Sequence, residues 1–242
     1  MIISSELEGR TIFLSASYPE PGTNWPDCYK DTLNPGLIAQ GVKAILKAVF
    51  LRRGKVVFGG HPTITPFVLD VAEGYERYYE GEKFVYFYQS KYFEGWYTEE
   101  AKYLQAKSLA LFQATDKIIV EPLAGASQAR IDKVNREASL LEMRQRMFVD
   151  CNPAFAVFIG GKEGIIHEFD LFHENCPQAR MYPIMAPGGA AGKLLSEKGE
   201  LSRVHELKTV GLDDQMINAL RESKGMPFIC DKIVRDYMES IK

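Results

Sequence analysis

The stretch Ala154-Phe155-Ala156-Val157-Phe158-Ile159-Gly160-Gly161-Lys162-Glu163-Gly164-Ile165-Ile166-His167-Glu168-Phe169 decides the fold class. Its six leading apolar residues have the length of a strand, and an unbroken run fits one covered on both faces. The glycines supply a tight turn, and helical spacing follows over Lys162–Cys176. A buried strand that turns directly into a helix is one half of a βα unit.

The same alternation recurs along the chain and predicts a mainly parallel sheet. Strands are expected at Thr11–Ser15, Lys55–Phe58, Lys83–Tyr88, Lys117–Val120, Ala154–Ile159 and Met181–Ile184. Helices are expected near Gly36–Arg53, Thr63–Tyr79, Thr98–Thr115, Ser127–Asp150 and Lys162–Cys176. In the helix opening at Ser127, Ile131, Val134, Ala138, Leu141 and Phe148 form one apolar stripe, and Pro153 lies just beyond its end. Gly188 to Lys242 reads as helical, with segments around Asp213–Arg221 and Cys230–Ile241. The expected class is α/β and Rossmann-like, a mainly parallel sheet sandwiched between helices, with extra C-terminal helices. No repeat, low-complexity tract or linker divides the chain.

Composition narrows the function classes. The 242 residues are 46% hydrophobic and 25% charged, and 29 Lys and Arg against 32 Asp and Glu leave a net charge of −3. A partner built of phosphate backbone calls for a basic excess, so no nucleic-acid partner is expected. No apolar run approaches a membrane span, so no membrane partner is expected either. Met1–Arg10 is polar and acidic, without the apolar core of a signal peptide. Cys28, Cys151, Cys176 and Cys230 are scattered with no C-x-x-C pair, which predicts buried thiols in a reducing, cytoplasmic compartment.

Four predicted strand ends turn through small residues: Ser15-Ala16-Ser17, Gly59-Gly60-His61-Pro62-Thr63, Gly160-Gly161-Lys162-Glu163-Gly164 and Gly188-Gly189-Ala190-Ala191-Gly192-Lys193. A parallel sheet gathers such corners at its carboxyl edge, where helix N-termini offer N–H groups to anions. Together they point to a phosphate-bearing small molecule. The P-loop spacing is missing, as are G-x-G-x-x-G and G-x-S-x-G, so neither a dinucleotide cofactor nor a hydrolase serine is indicated. His167 and His173 are six helical residues apart and point in different directions, so no metal site is expected.

Arg144 sits late on its predicted helix, and Glu168 lies about one turn into the next. Above a glycine corner, this pair suits a nucleotide, with arginine for phosphate and glutamate for a ribose hydroxyl or the glycosidic bond. A solvated arginine and a first-turn glutamate would leave the same trace in the sequence. Between Tyr75 and Tyr103 lie 12 of the chain's 28 aromatic residues. They could form a core strand with its covering helix, an oligomer interface, or a stacking wall for a base.

The string Met143-Arg144-Gln145-Arg146-Met147, followed by a strand and by Gly160-Gly161-x-x-Gly164-x-x-x-Glu168, resembles the signature of the LONELY GUY phosphoribohydrolases. The chain as a whole is similar to another branch of the same SLOG superfamily. That likeness is carried by IFLSASYP (12–19), VFGGHPTITP (57–66), LLEMRQRM (140–147), VFIGGKEGIIHEF (157–169) and PGGAA (187–191). The resemblance implies a Rossmannoid nucleotide-binding domain over residues 1–195, with a helical extension over 196–242 packed on it. It also implies binding of a nucleotide-derived molecule, of the ADP-ribose or nucleoside-phosphate type, by a sensor in a bacterial defence or signalling system. No cofactor is implied. A homo-oligomer and a TIR-type or other defence partner are.

The implied ligand-binding residues are Ser15, Ser17, Gly59, Gly60, His61, Thr63, Arg144, Gly160, Gly161, Lys162, Gly164, Glu168, Gly188 and Gly189. The alternative is an N-glycosidase that cleaves the base from a nucleoside 5′-monophosphate, with Glu168 and Arg144 catalytic. Two departures favour the sensor. Two residues separate Gly161 from Gly164 where the hydrolases have one, and Ile165 and Ile159 stand where they carry threonine and proline.

Overall fold

In a computed structural model of the chain, residues 5–242 are described except for 21, 24, 80, 108, 123 and 124. The start of the polar N-terminal stretch, residues 1–4, therefore lies outside the described residues. Among the described residues six strands, β1 (Thr11–Ser17), β2 (Lys55–Phe58), β3 (Val85–Ser90), β4 (Leu111–Thr115), β5 (Phe155–Gly160) and β6 (Arg180–Ile184), pair in the order β4-β3-β2-β1-β5-β6. Every pairing is parallel. The crossovers carry α1 (Asp27–Lys30), α2 (Pro35–Phe50), α3 (Thr65–Glu76), α4 (Glu99–Ala106), α5 (Gln128–Cys151) and α6 (Glu163–Asn175). After β6 come α7 (Gly189–Leu194), α8 (Val204–Thr209), α9 (Asp214–Glu222) and α10 (Met226–Ser240). This is an α/β, Rossmann-like arrangement with additional C-terminal helices.

Both faces of the sheet are covered. On one, α10 packs on α2, α2 on α3, and α3 on α4; on the other, α5 and α6 lie side by side. Both β1 and β5 are buried almost throughout, and burial on both sides explains the unbroken apolar run of β5. Beneath α5 and α6, Phe13 meets Phe148 edge-on at 4.9 Å and stacks on Phe172 at 5.7 Å. The last helix is fixed to the sheet through polar and aromatic contacts alike. Tyr182 donates to Asp236 at 2.7 Å, and the rings of Phe155 and Tyr237 lie 4.8 Å apart. Asn34 caps α2 by accepting from the Leu37 N–H, and Pro35 occupies its first turn, where no N–H is needed.

Two expectations about the middle of the chain require correction. The fourth strand is Leu111–Thr115, inside the stretch expected to be helical, and Lys117–Val120 is not a strand. As an edge strand with mostly exposed side chains, β4 needs no apolar run. The apolar segment that follows takes its hydrogen bonds from α5 instead of from a ladder. Ile118 N–H donates to Ser139 Oγ at 2.9 Å, and Val120 N–H to Asn135 Oδ1 at 2.8 Å.

The second correction concerns α5. Its buried residues are Asn135, Ser139, Met143, Met147 and Phe148, whereas Val134 and Leu141 are exposed. Two polar residues on the buried stripe, each satisfied by the 118–120 backbone, disguise the inward face. The thiols differ as well: Cys230 is buried, Cys151 and Cys176 are half-buried, and Cys28 is exposed. Cys28 sits on α1, whose buried side chain is its neighbour Tyr29. Among the described residues no helix is long and apolar enough to cross a membrane.

Replacing Asn135 by Ala should lower stability by about 1–3 kcal/mol, because the Val120 N–H loses its acceptor. Denaturant unfolding measures the loss, and amide exchange at Val120 should accelerate more than exchange in β5.

Candidate functional site

The chain leaves β1 toward β2 on one side and returns to pair β5 on the other, so the strand order switches between β1 and β5. Ligands of open α/β sheets bind outside the carboxyl ends of the strands at this point. A cleft of about 1090 Å³ opens here. Ser15 and Ser17 end β1, Gly59, Gly60 and His61 follow β2, and Gln89 and Ser90 end β3 along its floor. One wall is α5, through Leu140, Met143 and Arg144. Another is the start of α6, through Lys162, Gly164, Ile165 and Glu168.

At the switch point the Glu168 carboxylate is held at both oxygens. Arg144 Nε donates to Oε1 at 3.0 Å, and Ser15 Oγ donates to Oε2 at 2.5 Å. The Arg144 and Glu168 side chains are only 14% and 19% exposed, so this arginine is not a solvated flank residue. Glu168, on α6, thereby ties a side chain of α5 to one of the sheet. The arrangement presents a guanidinium and a carboxylate side by side at the cleft surface, which suits phosphate and sugar hydroxyls respectively.

The β2 corner contributes His61. Its Nδ1 lies 2.8 Å from Thr63 Oγ1, and the Thr63 hydroxyl donates to the Tyr18 carbonyl at 3.2 Å. Burial, assisted by the Lys162 ammonium, holds the imidazole pKa down at about 4, so the ring is neutral at physiological pH. The Lys162 Nζ itself sits 5.2 Å above the Trp25 ring, a cation–π contact at the cleft.

The expected residues divide by position. Ser15, Ser17, Gly59, Gly60, His61, Arg144, Lys162, Gly164 and Glu168 line the cleft. Thr63 stands behind His61 and orients it. Gly160 and Gly161 do not line the cleft. They form the turn beneath it with φ of 68° and 75°, and Gly161 N–H donates to the Ser17 carbonyl at 2.8 Å. A side chain at Gly161 would lie 2.0 Å from Ile165 Cγ1, so glycine here admits Ile165 rather than a ligand.

Gly188 and Gly189 also stand apart from the cleft, which corrects the placement of the fourth corner. A Cβ on Gly188 would be 1.8 Å from the Thr32 carbonyl, and Gly189 N–H donates to Thr32 Oγ1 at 3.1 Å. This corner packs the loop before α2, and α7 is only six residues long. Trp25, Gln89 and Leu140 line the cleft as well, beyond the expected residues. The aromatic segment serves two ends: Tyr75, Tyr79 and Phe84 pack together beside Phe50, whereas Phe93, Trp96 and Tyr97 line the cleft.

His61 supplies a pH signature. Its folded pKa lies below the unfolded value of about 6.5, so its contribution to stability is complete above that value and is lost as pH falls toward about 4. Unfolding midpoints at pH 7.5 and pH 5 should therefore differ more for the wild type than for His61→Gln.

A family model described as the SLOG cluster3 family matches residues 28–119 and 125–212. No curated protein matches the chain. The unmatched residues 120–124 fall in the connection between β4 and α5, and the two matched stretches contain Gly59, Gly60, Arg144 and Glu168. With most of its length matched, the chain belongs to the SLOG cluster3 family.

Proposed function

We propose that the chain binds a nucleotide-derived small molecule in the cleft at the β1–β5 switch point and acts as its sensor. The observation that carries this reading is the Arg144–Glu168–Ser15 constellation. Its carboxylate is tied to protein donors at both oxygens, which suits a fixed acceptor for ribose hydroxyls better than a group that must exchange a proton during turnover. Lys162 and the α6 N-terminus supply local positive potential for phosphate, within a chain of net charge −3. SLOG membership supports nucleotide-related binding or processing, and the resemblance set out above extends it to a signalling or defence setting with a homo-oligomer and a TIR-type partner.

The alternative reading is an N-glycosidase for nucleoside 5′-monophosphates, with Glu168 assisting departure of the base and Arg144 orienting the phosphoribosyl group. Ile165 speaks against it. It occupies the place of the hydrolases' threonine, lines the cleft, and is buried at 4% exposure, so an apolar side chain stands where that family has a hydroxyl.

A panel of nucleoside monophosphates and ADP-ribose separates the two readings, with binding followed by thermal shift and base release by chromatography. The sensor reading expects a shift without turnover. Arg144→Ala should weaken binding roughly 10- to 100-fold, the range for losing hydrogen bonds to a charged group. Base release that disappears in Glu168→Gln would establish the glycosidase instead.

A further inference from the structure

Two strands away from Ser15 along the sheet edge, a distance of about 10 Å, β3 ends on Gln89 and Ser90. Gln89 lines the cleft yet is only 9% exposed, and its Oε1 is buried with no hydrogen-bond partner among the described residues. Its Nε2 end lies toward Gly60, 3.1 Å from where a side chain at that position would begin. A buried amide carbonyl without a donor is unfavourable, and such groups in native structures call for an explanation.

Just after β3 the chain adds aromatic rings to the same cleft. Tyr97 donates its hydroxyl to the Ser90 carbonyl at 3.2 Å, which fixes its ring. Phe93 and Trp96 lie with ring centroids 6.2 Å apart, and Trp96 is 71% exposed at the rim. A planar heterocycle can lie against such rings whatever its identity, because every base offers a π-face. Identity has to be read at the edge of the heterocycle, and among these residues Gln89 carries the unpartnered acceptor.

We propose that Gln89 and these aromatic rings form the base-reading end of the cleft, selecting bases that carry an exocyclic amino group beside an unprotonated ring nitrogen. This rests on the nucleotide reading above. The amino group donates to Oε1, and the ring nitrogen accepts from Nε2, satisfying both ends of one amide in one plane. Adenine and cytosine offer that edge. With the amide in this orientation, Nε2 toward Gly60, the carbonyl that replaces the amino group in hypoxanthine and uracil would face Oε1 without a proton between them.

Calorimetric titration of the full chain with three matched pairs tests the proposal: AMP and IMP, CMP and UMP, and ADP-ribose and its hypoxanthine counterpart. Each pair differs at the amino or keto edge alone, and the pairs separate a purine from a pyrimidine source. The amino member of at least one pair should bind roughly tenfold tighter or better, as expected when a keto analogue leaves a polar group unpaired. Gln89→Met should bring that ratio to about one, whereas Trp96→Ala should weaken both members and preserve it. A ratio does not depend on the fraction of folded protein, so a destabilised variant still reports. Equal binding within every pair, preference for the keto member, or a ratio that survives Gln89→Met would overturn the proposal while leaving nucleotide binding intact. Binding of none of the six would overturn the nucleotide reading itself, and the base-reading end with it.

Discussion

The parallel pairing of β1 with β5, from Ile12 opposite Phe155 to Ser17 opposite Gly160, is the contact on which the rest of the molecule is arranged. It joins the two halves of the sheet, and one further hydrogen bond beyond the ladder, from Gly161 N–H to the Ser17 carbonyl, turns the chain into α6. The alternation of side chains along β1 then sends Phe13 into the aromatic core under α5 and α6 and leaves Ser15 on the same face, farther toward the edge. The core and the constellation around Glu168 are therefore successive layers on one side of one strand.

Most of the fold was legible because its central strands are buried on both faces and so read as apolar runs. β4 was not, because a sheet edge imposes little on side chains. The apolar run that looked like a strand, Lys117–Val120, is tethered by Asn135 and Ser139, a pairing across sequence that local pattern does not reveal. Those two polar residues also explain the misread stripe of α5. Val134 and Leu141 completed an apparent apolar face, while the inward face combined Asn135 and Ser139 with Met143 and Met147.

The cleft was legible in part for a related reason. Arg144 and Glu168 flank β5 in sequence, so spacing alone suggested that they could meet. Gln89 had a weaker signal, its place just beyond the expected strand Lys83–Tyr88, where side chains reach the carboxyl edge. Trp25 comes from the long excursion between β1 and α2 and had none. Glycine pairs misled as well as guided. Gly59 and Gly60 stand in the cleft, whereas Gly188 and Gly189 serve close backbone packing against Thr32.

The chain has two tryptophans, and both line this one cleft. Trp25 is shut away at 6% exposure beneath the Lys162 ammonium, and Trp96 stands open at the rim at 71%. Indole emission shifts to the blue and changes in yield when water leaves the ring, so the intrinsic fluorescence of this protein is a local signal rather than an average over the fold. The molecule thereby carries an optical probe of its cleft, with one ring reporting the interior and the other the mouth.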